Sequence, residues 1–127
     1  MAPHRPTRPV LVVEDDDKLR ELFRTTLRDA GFTVEAVSDG IDALRLIEDH
    51  VPAAVVLDLA LPRLSGRDVA QELRATARTR RVPIIVVTGT NEGDGEGLKA
   101  DCVLQKPIVP DELVATVDEC LRKTNPA

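Results

Sequence analysis

The chain has 127 residues, enough for one domain and too few for two. It is 43% hydrophobic and 31% charged with a net charge of −5, so it can fill an ordinary core but lacks the basic surface that phosphate-backbone contacts require. With two Phe, no Tyr and no Trp it has little with which to stack on bases, and no apolar run approaches the roughly 18 residues of a membrane span.

The N-terminus has no apolar signal-peptide stretch, so the expected location is the cytoplasm, without membrane insertion or direct nucleic-acid contact. Residues 1–8 are rich in proline and show no periodicity; they read as a disordered leader, with a domain over 9–123 and a tail at 124–127. Val10-Leu11-Val12-Val13 is the short β-branched run of a strand buried on both faces. Leu19, Leu22, Phe23, Leu27 and Ala30 then form one apolar helical stripe. Asp16 or Asp17 can cap that helix, and Gly31 suits the left-handed residue past its end.

Residues 32–37 (FTVEAV) alternate and read as a strand nearer an edge. A second helix buries Ala43, Leu44 and Ile47 and stops at Val51-Pro52. Residues 53–57 form the third strand, and a third helix around Arg67 to Arg78 buries Val69, Ala70 and Leu73. Residues 84–87 and 102–104 are strands four and five. The last helix opens at Pro110, with Asp111 and Glu112 complementing its dipole and Leu113, Val114, Val117 and Leu121 inside. Cys102 and Cys120 fall within these elements and read as reduced, buried packing residues, not as a disulfide or metal site.

Apolar strands alternating with amphipathic helices specify an α/β fold with a parallel sheet covered on both faces, joined by right-handed crossovers. In such sheets ligands bind beyond the carboxyl ends of the strands. Strand one runs into Glu14-Asp15-Asp16-Asp17, strand three ends at Asp58, strand four at Thr88, and Lys106-Pro107 follows strand five. Singly, these are an acidic helix start, a strand threonine and a surface lysine. Asp58 is harder to dismiss, since an apolar strand should not end on a carboxylate without a partner. Together they supply a carboxylate nucleophile, acids that need a hard cation, a hydroxyl and an ammonium, the parts required for phosphoryl transfer to a carboxylate.

The chain resembles the receiver domain of two-component response regulators, of the stand-alone, chemotaxis-regulator-like kind. The resemblance spans about Pro9 to Lys123 and rests on VLVVEDDDKLR at 10–20, VVLDLALPRLSG at 55–66, VVTGT at 86–90 and QKP at 105–107. It implies a doubly wound, flavodoxin-like sheet of five parallel strands in the order 2-1-3-4-5. It also implies Asp58 as phosphoacceptor, with Mg²⁺ held by Asp15, Asp58 and the main-chain carbonyl of Ala60, and by Glu14 through water. Thr88 and Lys106 would contact the phosphoryl group, the Lys106-Pro107 bond would be cis, and Pro62 and Gly66 match the turn after the acceptor. The phosphoryl donor would be a histidine kinase or histidine phosphotransfer protein. No output region is seen after Lys123, so the output is expected to be contact with a downstream protein.

The sequence departs from the family's pattern in several places. Glu14 replaces the commoner Asp, Gly89 follows Thr88 where Ala is usual, and Val103 stands where a Tyr or Phe ring usually swings inward. The span from Thr88 to Lys106 is a few residues short, and Gly93, Gly95 and Gly97 sit at alternate positions within it. Glycine costs about 1 kcal/mol in a helix interior relative to Ala, so the fourth helix is expected to be shortened or missing, residues 89–99 to form a mobile loop, and the usual dimer through that face not to form. The leading reading is a switch, not an enzyme beyond Mg²⁺-dependent self-phosphorylation and slow autodephosphorylation. A pseudo-receiver serving as a phosphorylation-independent interaction module is the alternative. A phosphohydrolase is disfavoured, because residues 59–61 are Leu-Ala-Leu and offer no second acid.

Overall fold

Three consecutive β-branched runs, each too apolar to face water, set the middle of the sheet. In the computed structural model, which describes residues 5–61, 63–89 and 100–124, these are β1 (Val10–Val13), β3 (Ala54–Asp58) and β4 (Ile84–Thr88), buried at every position. The half-buried β2 (Val34–Val37) and the alternating β5 (Cys102–Gln105) take the edges. All pairs are parallel and the order is β2-β1-β3-β4-β5, as the resemblance implied.

Successive residues of a strand point to opposite faces, and the helices divide accordingly. Val10, Val12, Val56, Ile85 and Val87 meet Phe23 and Leu27 of α1 (Asp17–Asp29) and Leu113, Val117 and Cys120 of α4 (Pro110–Thr124). Leu11, Val13, Val55, Leu57, Ile84 and Val86 meet Ala43 and Ile47 of α2 (Gly40–Asp49) and Val69 and Leu73 of α3 (Gly66–Ala75). Full burial of such a side chain stabilises by about 1.5–3 kcal/mol, so two filled layers hold the strand ends rigidly. Cys120 is buried, Cys102 packs half-buried against the same layer, and both are free thiols.

Asp16 caps α1 by accepting from the Leu19 N–H at 2.8 Å, and Gly31 takes a φ of 100° just beyond that helix. Two expectations need correction. Leu22 is 39% exposed, because it lies about 100° around the helix from Phe23, at the margin of the stripe. Helix α3 ends at Ala75 and not near Arg78: the Thr79 hydroxyl turns back to donate to the Leu73 carbonyl at 2.7 Å, and Arg74 donates to the carbonyls of Arg80 and Val82. The expectations for Pro62 and for the stretch beyond Gly89 up to residue 99 fall outside the described residues.

Candidate functional site

The strand order makes β1, β3, β4 and β5 successive neighbours, so their carboxyl ends open onto one rim, on either side of the boundary between β1 and β3 where the chain reverses its direction of winding. Register fixes the details. Asp58 stands opposite Val87, Thr88 stands opposite Gln105, and the Lys106 N–H donates to the Thr88 carbonyl at 2.8 Å. The Lys106-Pro107 peptide is cis. Residues far apart in sequence are thereby delivered to a common space.

Within it, Lys106 Nζ lies 3.3 Å from Asp58 Oδ2 and 3.7 Å from Glu14 Oε1. Asp58 is 3% exposed and Glu14 is fully buried. The second oxygen of each carboxylate is held by backbone: Asp58 Oδ1 accepts from the Ala60 N–H at 2.9 Å, and Glu14 Oε2 from the Asp16 N–H at 3.1 Å. Burial, reinforced by the neighbouring Asp58 carboxylate, pushes the Glu14 carboxyl up to about 8. For Lys106, burial acts to lower the ammonium's pKa, but Asp58 and Glu14 outweigh it and hold the pKa above the usual lysine value.

Glu14 Oε1 has no hydrogen-bond partner although it is buried, and Lys106 stands beyond hydrogen-bond reach of it. Asp15, exposed beside it, completes a set in which one carboxylate oxygen each of Glu14, Asp15 and Asp58 lie within 4.8 Å of one another. An all-oxygen set with an orphaned buried acceptor fits a hard divalent cation such as Mg²⁺.

Beside Asp58 a cleft of about 240 Å³ is lined by Leu59, Ala60, Ser65, Arg67, Thr88, Gly89 and Lys106. All the sequence-nominated residues, Glu14, Asp15, Asp58, Ala60, Thr88 and Lys106, therefore meet in one place. Three others were not nominated. Arg20 donates to the Glu14 and Asp15 carbonyls at 3.0 and 3.5 Å and fixes the acidic turn. Ser65 caps α3 by accepting from the Asp68 N–H; the spacing of a short polar residue three positions before Asp68 was the available signal. Arg67 enters the cleft from the first turn of α3, a position with no mark in the sequence.

The loop after Asp58 is tied down at both ends. Arg63, at a φ of 62°, pairs with Asp39, the residue that caps α2 by accepting from the Asp42 N–H. A Cβ on Gly66 would stand 2.2 Å from the Asp58 carbonyl oxygen, so this contact requires glycine.

Sheet order, helix placement and this rim define a doubly wound, flavodoxin-like module with an acidic site at the carboxyl edge of its sheet. The chain belongs to the response regulator receiver domain family, whose pattern it matches over residues 10–118. It is 40% identical over 121 residues to the response regulator MprA of Mycobacterium sp. (strain KMS), a match covering 92% of this chain and 52% of that protein. Response regulator MprA of Mycobacterium avium (strain 104) is 39% identical over the same length. The chain spans about half the length of these curated relatives. Among solved structures it is similar to the chemotaxis response regulator CheY4 of Vibrio cholerae, with a TM-score of 0.84, 26% identity, and coverage of 91% of this chain and 99% of that one. A sensor protein from Polaromonas sp. JS666 is similar at a TM-score of 0.85 and 27% identity, over 94% and 99% of the two chains. No helix among the described residues is long and apolar enough to cross a membrane.

Proposed function

We propose that this domain is a phosphorylation-dependent cytoplasmic switch that accepts a phosphoryl group on Asp58 from the phosphohistidine of a kinase or phosphotransfer protein, and signals by contact with a downstream protein. The observation that carries the reading is the buried pair of carboxylates, Asp58 and Glu14, sharing one ammonium while Glu14 Oε1 stays without a hydrogen-bond partner. A purely structural ion pair would leave no such orphan.

A carboxylate oxygen of Asp58 attacks phosphorus, the new O–P bond forms as the P–N bond to the donor imidazole breaks, and the electron pair returns to the ring nitrogen. Lys106 neutralises charge on the phosphoryl oxygens, Thr88 donates its hydroxyl to one of them, and the Ala60 N–H holds Asp58 in orientation. Glu14, Asp15, Asp58 and the Ala60 carbonyl would hold Mg²⁺, which when bound supplies the positive charge that three carboxylates and a phosphoryl group together require. The acidic net charge supports a protein target over nucleic acid.

Incubation with Mg²⁺ and acetyl phosphate followed by intact-mass measurement tests the reading. The wild-type chain should gain one phosphate and Asp58→Asn none. An unmodified wild type would instead favour the pseudo-receiver, a module that binds its partner without phosphorylation, a reading to which the exposed Val103 of β5, aliphatic where the family has a ring, lends its support.

A further inference from the structure

The opposite end of the sheet carries a second cleft, of about 280 Å³, that the proposed phosphoryl chemistry does not use. Its walls are the segments entering β1, β3 and β4, closed by the last turn of α4: Arg8, Pro52, Pro83 and Leu121, with Arg78 and Arg81 from the turn after α3. Backbone hydrogen bonds hold the walls in place, from the Ala53 N–H to the Pro9 carbonyl at 2.8 Å and from the Val55 N–H to the Pro83 carbonyl at 2.9 Å.

Acidic residues outnumber Lys and Arg by 22 to 17, and several described arginines are paired with a carboxylate, as with Arg5 and Asp118, Arg24 and Glu21, Arg63 and Asp39, and Arg74 and Asp101. Among the described residues Arg8, Arg78 and Arg81 take part in no ion pair. Arg78 has one carbonyl contact, to Glu48 at 3.3 Å. Three guanidiniums line one concavity, although Arg78 also borders a neighbouring cleft that holds Glu48 and Glu72; together they favour a positive local potential, and their planar forks match oxyanion geometry. The floor between them is aliphatic, from the two prolines and Leu121.

We infer that this cleft binds a small phosphate monoester with a compact apolar or aromatic body, its oxyanion held by Arg8, Arg78 and Arg81 and its body seated on Pro52, Pro83 and Leu121. A volume of about 280 Å³ stands just below the roughly 300–1,000 Å³ of ordinary ligand pockets, which suits a mononucleotide-sized molecule. The site lies at the amino ends of the strands, away from Asp58, so its occupancy is independent of the acceptor.

The test is a titration of amide resonances of the full chain, without Mg²⁺, using phenyl phosphate and adenosine 5′-monophosphate as probes, with inorganic phosphate and adenosine as controls. Saturable shifts are expected at Ala53, Val82 and Leu121, unchanged in Asp58→Asn. They should weaken by tenfold or more in the double variant R78A/R81A, since losing even one hydrogen bond to a charged group costs about a factor of ten. Both arginines are solvent-exposed, so the variant should keep the wild-type melting temperature. Added salt should weaken binding further. No saturable shift with either probe would overturn the inference. So would an undiminished response in the double variant, equal binding of inorganic phosphate, or shifts confined to the Asp58 cleft.

Discussion

Lys106 is where the burial and charge of the rim come to a decision. Its ammonium bonds Asp58 and faces Glu14 at 3.7 Å, yet it lies at the mouth of the site with a third of its side chain open to solvent, so removing it should not unfold the chain. Lys106→Ala is expected to keep the fold and Mg²⁺ binding while slowing phosphorylation by acetyl phosphate on the order of 100-fold, the cost of losing one electrostatic stabiliser of the transferring group. Phosphorylation at the wild-type rate with an unaltered conformational response would remove Lys106 from the mechanism. Gly66 makes the complementary case, in which the residue matters by being absent. A methyl group there meets the Asp58 carbonyl oxygen at 2.2 Å and the Leu59 Cα at 2.7 Å, both backbone atoms with no freedom to swing aside. Gly66→Ala should lower stability by about 1–3 kcal/mol in urea titrations and slow phosphorylation as well, because the strain falls on the acceptor itself.

At the scale of elements, β1, β3 and β4 were legible because full burial on both faces leaves an unbroken β-branched run. The convergence of the nominated residues was legible for a related reason: Glu14, Asp15, Asp58, Ala60 and Thr88 lie at or within two residues of the end of such a run, and Lys106 follows the edge strand β5. What stayed hidden depends on side-chain direction and on contacts between segments distant in sequence. Leu22 is one residue from a buried Phe23 but turned outward. The end of α3 is set by Thr79 and Arg74 gripping carbonyls across the turn, and Arg67 reaches the cleft only because α3 begins beside the acceptor loop. Asp39 joins two elements in this way, capping α2 and pairing with Arg63 of the β3–α3 loop. The Asp42 N–H, followed by the Arg63 guanidinium, holds the Asp39 carboxyl below the usual carboxylate range. A depressed folded-state pKa contributes stability in full above the unfolded value, about 3.9 for Asp, and that contribution is lost as pH falls toward the folded value. Asp39→Asn preserves a capping side chain but removes the charge. Its stability in urea should therefore fall less steeply than that of wild type as the pH is lowered below about 4, and parallel curves would show that the charge of Asp39 contributes nothing to stability.

Seen across the whole molecule, the two filled layers hold Glu14, Asp15 and Asp58 together whether or not a cation balances them. The fold thus sustains an electrostatic penalty at its carboxyl rim: two of the three acids are buried, and one ammonium cannot satisfy both fully. The unfolded chain carries no such penalty, because its acids are hydrated and far apart. A divalent cation binding only the folded arrangement therefore shifts the whole equilibrium, by RT ln(1 + [L]/Kd), which at a concentration ten times Kd is about 1.4 kcal/mol. For a chain of this size that corresponds to a rise of about 5 °C in melting temperature. Thermal unfolding followed with increasing Mg²⁺ should show this rise in wild type. Asp15→Asn should abolish most of it, since Asp15 is the exposed member whose loss removes a donor without opening the core. Its metal-free melting temperature should equal or exceed that of wild type, because the charge of Asp15 no longer stands beside Asp58 and the buried Glu14. Leu22→Asn, a surface change on α1 outside the oxygen set, serves as the control and should respond as wild type does. An equal Mg²⁺ response in Asp15→Asn and wild type would place the ion elsewhere on the acidic surface and dissociate the carboxylate cluster from the cation.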